Sequence, residues 1–197
     1  MVTKISSQIL KYISGHTYIP DNMKDIYLYG IEITISSMLN IILVFLCSLI
    51  IGEVIAGLVY LIIFVFLRSF TGGYHAKTYF RCNATMVITY ILTTVLYKVI
   101  ANYEHALLIC TAIALVDLIP IILYAPVFNI HKPLNKIERS RSHILSIIIA
   151  STLFGIGITL LTLGVSEGIM IIITVTTVSV LIIVEICMQR RGYHESK

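Results

Sequence analysis

The chain has 197 residues, of which 58% are hydrophobic and only 12% are charged, and its net charge is +4. A soluble domain carries about 25% charged residues, so this composition excludes an ordinary soluble protein. It predicts one multi-pass domain over residues 1–197, an all-α integral membrane protein with much of its surface in contact with the lipid bilayer.

The N-terminal segment, residues 1–30, has apolar residues at helical spacing: Val2, Ile5, Ile9, Tyr12 and Ile13. This spacing predicts a short interfacial amphipathic helix that ends near Gly15 and Pro20. A frayed terminus is the alternative. The segment has no apolar run that ends in a small-residue cleavage site, so we expect no secretory signal peptide.

Six apolar runs follow in chain order, at 31–51, 54–67, 82–97, 106–125, 144–163 and 169–188. A spanning helix needs about 20 residues, and four of the runs have that length. The runs 54–67 and 82–97 are shorter; the first would rise only about 21 Å at about 1.5 Å per residue. We therefore predict about six transmembrane helices, of which these two are either extended by flanking polar residues or partial spans.

The basic residues fix the expected orientation. With six spans, 13 of the 14 Lys and Arg residues fall on one side, and only Lys98 falls on the other. The positive-inside rule assigns the basic side to the cytoplasm. We expect both termini, the segment 68–82, the loop 126–143 and the tail 189–197 to be cytoplasmic.

The segment 68–82 is polar and lies between two apolar runs, and it contains Gly72, Gly73, His75 and Cys82. An imidazole beside a thiol can accept its proton, which leaves a nucleophilic thiolate and a general acid. Cys82 is predicted to lie at the start of a helix, where exposed amides favour the thiolate. On a straight helix the two residues would be about 10.5 Å apart, so a catalytic pair requires a bend, which the glycines permit.

This pattern is weak by itself, because His75 can equally be an interfacial residue and Cys82 a core residue. The other cysteines, Cys47, Cys110 and Cys187, are interpreted as small buried hydrophobic residues. No disulfide framework is expected. The histidines show no metal-binding spacing, so we predict no metal and no other cofactor.

Two stretches resemble the accessory gene regulator protein B (AgrB) family. The first is Arg68-x-x-x-Gly72-Gly73-x-His75-Ala76 followed by Cys82; the second, from Tyr124 to Asn135, is similar to the family's cytoplasmic loop. The chain departs from that loop at His131, where the family commonly has Asn or a similar polar residue.

The resemblance implies a membrane cysteine endopeptidase of quorum sensing that processes an AgrD-like propeptide, with His75 and Cys82 as its catalytic residues. Cys82 would cleave off the C-terminal tail and hold the peptide as a thioester, and a Cys or Ser within the peptide would then close a thiolactone or lactone. A homodimer in the bacterial cell membrane would suit the family, and no nucleic-acid partner is expected. A transporter or export protein without peptidase activity is the alternative.

Other polar residues carry less specific expectations. Asp117 lies inside an apolar run and either orients His75 or makes an inter-helix contact. The basic residues either anchor the chain at the membrane or bind an acidic propeptide tail. The candidates for binding are Arg68, Lys77, Lys132, Lys136, Arg139 and Arg141.

Overall fold

A computed structural model describes residues 2–20, 23–72, 78–127 and 135–195, with side chains described as far as residue 190. Within these ranges the chain forms seven α-helices. They are α1 (Val2–His16), α2 (Lys24–Ile51), α3 (Val54–Thr71), α4 (Tyr79–Ala101), α5 (Ala106–Tyr124), α6 (Lys136–Thr162) and α7 (Glu167–Glu195). The prediction of an all-α protein is confirmed.

Six of these helices, α2 to α7, are long and apolar enough to cross a membrane, as predicted. The two short apolar runs belong to longer helices, because α3 has 18 residues and α4 has 23. Their rises are about 27 Å and about 34 Å, against a hydrocarbon core of about 30 Å. Polar residues at the helix ends supply the extra length.

The N-terminal helix is also present. It ends at His16, next to Gly15 and before Pro20, where the sequence predicted its end. It packs against α2, and Ser6 is the residue that becomes fully buried. Its position at the membrane surface stays a prediction.

Helix α7 lies at the centre of the bundle. It contacts α3, α4, α5 and α6, and it is the most buried of the six candidate spans. Helices α6 and α7 approach each other closely where Gly157 faces Gly168. A methyl group on Gly157 would lie only 3.0 Å from the carbonyl oxygen of Gly168. Small residues at such crossings let two helix backbones approach each other in a membrane.

Hydroxyl groups link the spans in the interior. Thr93 of α4 and Thr177 of α7 are 2.8 Å apart, and Tyr60 of α3 is 2.8 Å from Thr89 of α4. Each pair satisfies polar atoms that lipid cannot hydrogen-bond.

At one end of the bundle Lys98 and Glu53 form an ion pair of 3.2 Å. The opposite end holds the start of α4, the end of α3 and the start of α6. Lys98 is the one basic residue that the sequence places away from the others, and here its charge is neutralised by a carboxylate.

Candidate functional site

Cys82 lies in the first turn of α4. The side chain of Thr78 caps this helix by accepting a hydrogen bond of 3.3 Å from the amide of Arg81, and the amide of Cys82 donates to the carbonyl oxygen of Thr78 at 3.0 Å. Cys82 is a free, half-buried thiol. The predicted position at a helix start is therefore observed, and the positive end of the helix dipole is close to the sulfur.

Gly73, His75 and Ala76 of the predicted motif lie outside the described residues, as does the binding candidate Lys77. The pairing of His75 with Cys82 therefore stays a prediction. The two flanks of this segment are described: α3 ends at Thr71, and α4 begins at Tyr79.

Gly72 interrupts the chain after α3 as predicted. Its φ is +68°, a backbone conformation that residues with a side chain rarely adopt. A methyl group at this position would lie 3.1 Å from the carbonyl oxygen of Val127. Glycine is therefore required both by the turn and by the close approach of another segment.

That segment follows α5. The amide of Val127 donates a hydrogen bond of 3.0 Å to the carbonyl oxygen of Thr71, a residue with no exposed surface. The bond joins the two stretches that carry the family resemblance, which are distant in the sequence.

Arg68 is placed in the last turn of α3. Its guanidinium carbon lies 5.4 Å from the centre of the Phe64 ring. The guanidinium also interacts electrostatically with Cys82 and with Glu185 of α7. Arg68 and the candidate nucleophile are therefore within electrostatic range of each other.

Helix α2 approaches the same turn from another side. The Tyr79 hydroxyl donates a hydrogen bond of 2.6 Å to Glu32 Oε2, and the Ser36 hydroxyl donates one of 2.9 Å to Asn83 Oδ1. Sequence reasoning missed both bonds, because an acid near a helix end is adequately explained by contact with interfacial water. Their one trace in the sequence is the equal spacing of residues 32 and 36 and of residues 79 and 83, which by itself identifies no partner.

The described basic residues of the 126–143 loop lie at the start of α6. Asn135 caps this helix: its backbone amide donates a hydrogen bond of 3.0 Å to Glu138 Oε2, and its side-chain oxygen accepts one of 2.7 Å from the amide of Lys136. Such a capping box fixes where the helix begins. Lys132 lies outside the described residues.

The basic side chains of α6 fall into two grooves. Lys136 and Arg139 line a groove of about 360 Å³ against Ala125, Pro126 and His143. The Nδ1 atom of His143 is 2.6 Å from the carbonyl oxygen of Ala125, which can only accept, so this nitrogen carries the proton. Because Ala125 is two residues from Val127, this groove adjoins the segment packed on Gly72.

Arg141 lies in the second groove. That groove has a volume of about 550 Å³, and its lining includes Lys136 and the apolar residues Ile137 and Ile144. The structure therefore separates Arg141 from Arg139, although the two are close in the sequence.

Asp117 contacts α7. The Ser179 hydroxyl donates a hydrogen bond of 3.1 Å to the backbone carbonyl of Asp117. The side-chain atom Oδ2 of Asp117 is buried and has no hydrogen-bond partner among the residues that the structure describes. This geometry fits the predicted inter-helix contact. A role in orienting His75 stays a prediction.

The remaining cysteines are free thiols with different environments. Cys110 is fully buried and Cys47 is half-buried, as interpreted, but Cys187 is exposed on the surface of α7. The interpretation of Cys187 as buried is wrong, because its side chain lies on the exposed face of α7, whereas the neighbouring Ile186 packs against the core. Among the described residues, no group of three His, Cys, Asp or Glu residues could hold a metal ion; the prediction of no metal stays a prediction.

These features define a class: a multi-pass helical membrane protein with a half-buried cysteine at the start of one span and an arginine beside it. The chain matches Accessory gene regulator B over residues 5–187, and it belongs to the AgrB family. Membership implies that it processes an AgrD autoinducer propeptide. Comparison with curated proteins and comparison with solved structures each find no match.

Proposed function

We propose that this protein is a membrane cysteine endopeptidase that removes the C-terminal tail of an AgrD-like propeptide and enables its cyclisation. The observation that carries the proposal is the placement of Cys82. It is a free thiol in the first turn of α4, near Arg68, and it lies within the part of the chain that matches the AgrB family.

The reaction proceeds in two acyl transfers. In the first, the Cys82 thiolate attacks the peptide carbonyl, a carbon–sulfur bond forms, and the carbon–nitrogen bond to the tail breaks. His75 protonates the departing amine. In the second, a Cys or Ser side chain of the bound peptide gives its proton to His75 and attacks the thioester, which releases Cys82 and closes the ring.

The N-terminus of α4 alone does not supply enough free energy to keep a thiol ionised at neutral pH. An ordinary thiol costs about 2 kcal/mol to ionise at pH 7, whereas a helix N-terminus supplies about 0.3–1 kcal/mol. His75 is proposed to supply most of the remainder as the proton acceptor. Arg68, which interacts electrostatically with Cys82, is proposed to contribute to stabilising the thiolate beside its expected role in substrate binding.

The groove between α5 and α6 is proposed to bind the tail of the propeptide. It combines the basic residues Lys136 and Arg139 with Ala125, which leads directly to the segment packed on Gly72. An acidic tail would complement these charges. Lys77 and Lys132 are proposed to extend the same basic surface, and Arg141 is expected to contribute less because it lies in the other groove.

The site is proposed to face the cytoplasm of a bacterial cell membrane, with both termini on that side. The charge distribution supports this orientation, since Lys98 is the one basic residue expected on the other side and it is paired with Glu53. A homodimer and the division of the chain into segments 1–30, 68–82, 126–143 and 189–197 stay predictions.

The test is a processing assay in lipid vesicles with the propeptide, followed by mass spectrometry. The wild type should release the tail and form an adduct on Cys82, and Cys82→Ala and His75→Ala should do neither. Normal processing by Cys82→Ala would contradict the proposal and favour a transporter or export protein. Thr93→Val, which removes a remote hydroxyl pair, controls for the effect of any substitution in α4.

A further inference from the structure

Two hydrogen bonds between α2 and α4 lie on either side of Cys82 in the sequence. The Tyr79 hydroxyl donates to Glu32 at 2.6 Å, three residues before the cysteine, and Asn83, immediately after it, accepts from Ser36 at 2.9 Å. Tyr79 also interacts electrostatically with Cys82. The nucleophile is therefore carried by a helical turn that is attached to another span at both ends.

The spacing of these bonds restricts how the turn can move. Glu32 and Ser36 are four residues apart on α2, and Tyr79 and Asn83 are four residues apart on α4, so each pair is separated by about 6 Å along its helix. One bond would let α4 rotate or slide against α2. Two bonds one turn apart oppose both movements.

The Ser36–Asn83 bond is shielded from water. Ser36 is 5% exposed and Asn83 is 8% exposed, so neither is well placed to exchange its bond for one to water. Leaving a buried polar atom unpaired costs about 1–3 kcal/mol, which holds the second pair together. The Glu32–Tyr79 pair is only partly buried, and its distance is short for a hydrogen bond between two oxygen atoms.

We propose that Glu32 and Ser36 are positioning residues of the peptidase, which hold the first turn of α4 so that Cys82 meets the scissile carbonyl in an attacking geometry. The inference rests on the proposed function. It assigns to α2 a part in catalysis without contact with the peptide. A nucleophile displaced by about 1 Å can lose about a hundredfold in rate, so a loosened turn should lower kcat and leave substrate binding intact.

The experiment compares four variants in vesicles, each corrected for the amount of monodisperse protein. Tyr79→Phe and Ser36→Ala each remove one bond, and we expect each to lower kcat for tail release by about tenfold with KM within about twofold of wild type. Glu32→Gln keeps an oxygen that accepts from Tyr79, so it should retain most of the activity. Thr93→Val removes the hydroxyl pair with Thr177, about 16 Å along α4 from Cys82, and should leave kcat within about twofold.

A second readout does not depend on peptidase activity. Iodoacetamide labelling of each cysteine is followed by mass spectrometry, with the exposed Cys187 as the internal reference. We expect the labelling rate of Cys82 relative to Cys187 to change at least threefold in Tyr79→Phe and Ser36→Ala, and to stay unchanged in Thr93→Val.

The two proposals fail in different ways. An active Cys82→Ala would remove the peptidase proposal, whatever the labelling rates are. Normal kcat and normal Cys82 labelling in both Tyr79→Phe and Ser36→Ala would overturn the positioning role, even if the peptidase proposal stands. An equal loss of kcat in Thr93→Val would also overturn it, because the effect would then be one of general helix packing.

Discussion

The backbone amide of Val127 donates a hydrogen bond of 3.0 Å to the carbonyl oxygen of Thr71. Thr71 ends α3 immediately before Gly72, and Val127 leads from α5 toward the basic start of α6. The bond therefore places the proposed binding groove beside the end of α3, the helix whose last turn carries Arg68.

We predict that Gly72→Ala abolishes most of the processing activity. The substitution forces a side chain into a positive φ, which costs about 1–3 kcal/mol, and its methyl group would press against the carbonyl oxygen of Val127 at 3.1 Å. The matched control is Gly155→Ala in α6, because a methyl group there meets nothing within 4 Å. Tail release by the two variants is compared, and full activity of Gly72→Ala would contradict the structural requirement.

Arg68→Gln should slow the alkylation of Cys82 by about three- to tenfold, because the loss of a nearby cation destabilises the thiolate. Arg81→Gln is the control, since Arg81 precedes Cys82 in the sequence but is exposed to screening by solvent. Labelling rates are measured at neutral pH, with Cys187 as reference. If Arg68→Gln raises only KM for the propeptide and leaves labelling unchanged, Arg68 binds substrate instead.

Arg139→Gln should raise KM for the propeptide about tenfold, which is about 1.4 kcal/mol of binding free energy. Arg141→Gln removes the same charge from the same helix, but Arg141 lies in the other groove, and we expect less than a threefold change. The comparison is made at low ionic strength, where charge interactions are least screened. Equal effects would mean that the two grooves do not divide the basic residues by function.

Gly168→Ala should destabilise the bundle by about 1–3 kcal/mol through overpacking, because its methyl group would contact the carbonyl oxygen of Gly157 across the α6–α7 interface. Gly30→Ala in α2 is the control, since its methyl group meets nothing within 4 Å. The measurement is the thermal unfolding midpoint in detergent. Equal midpoints for the two variants would show that the close contact can relax.

The sequence predicts the spans well because lipid imposes one simple requirement, a long apolar stretch. It is less informative at the ends of α3 and α4, where Arg68 and Tyr79 belong to the helices although they are not apolar. Charge and polarity cannot distinguish a helix end that is stabilised by neighbouring helices from a loop. The structure resolves that alternative in favour of two long helices.

The sequence predicted the parts of the candidate site that are close together along the chain, but not the contacts between residues of different helices. Cys82 is found through its local motif, and its position at a helix start follows from the polar segment before it. The bond of Glu32 to Tyr79 joins residues 47 positions apart, and no local pattern specifies such a partner. Arg68 was expected to bind substrate. Its interaction with Cys82 could not be predicted from the sequence, because that interaction depends on how α3 packs beside α4.

The central position of α7 has a consequence for how the protein is made. The ribosome synthesises α7 after α3, α4, α5 and α6, which are the four helices that it contacts. Until then these helices are inserted in the membrane without their shared partner, and the interior hydroxyl of Thr93 lacks its bond to Thr177. Assembly of the bundle is thus a late event in biosynthesis, and a nascent chain stalled before α7 would present polar membrane surfaces to quality-control proteases.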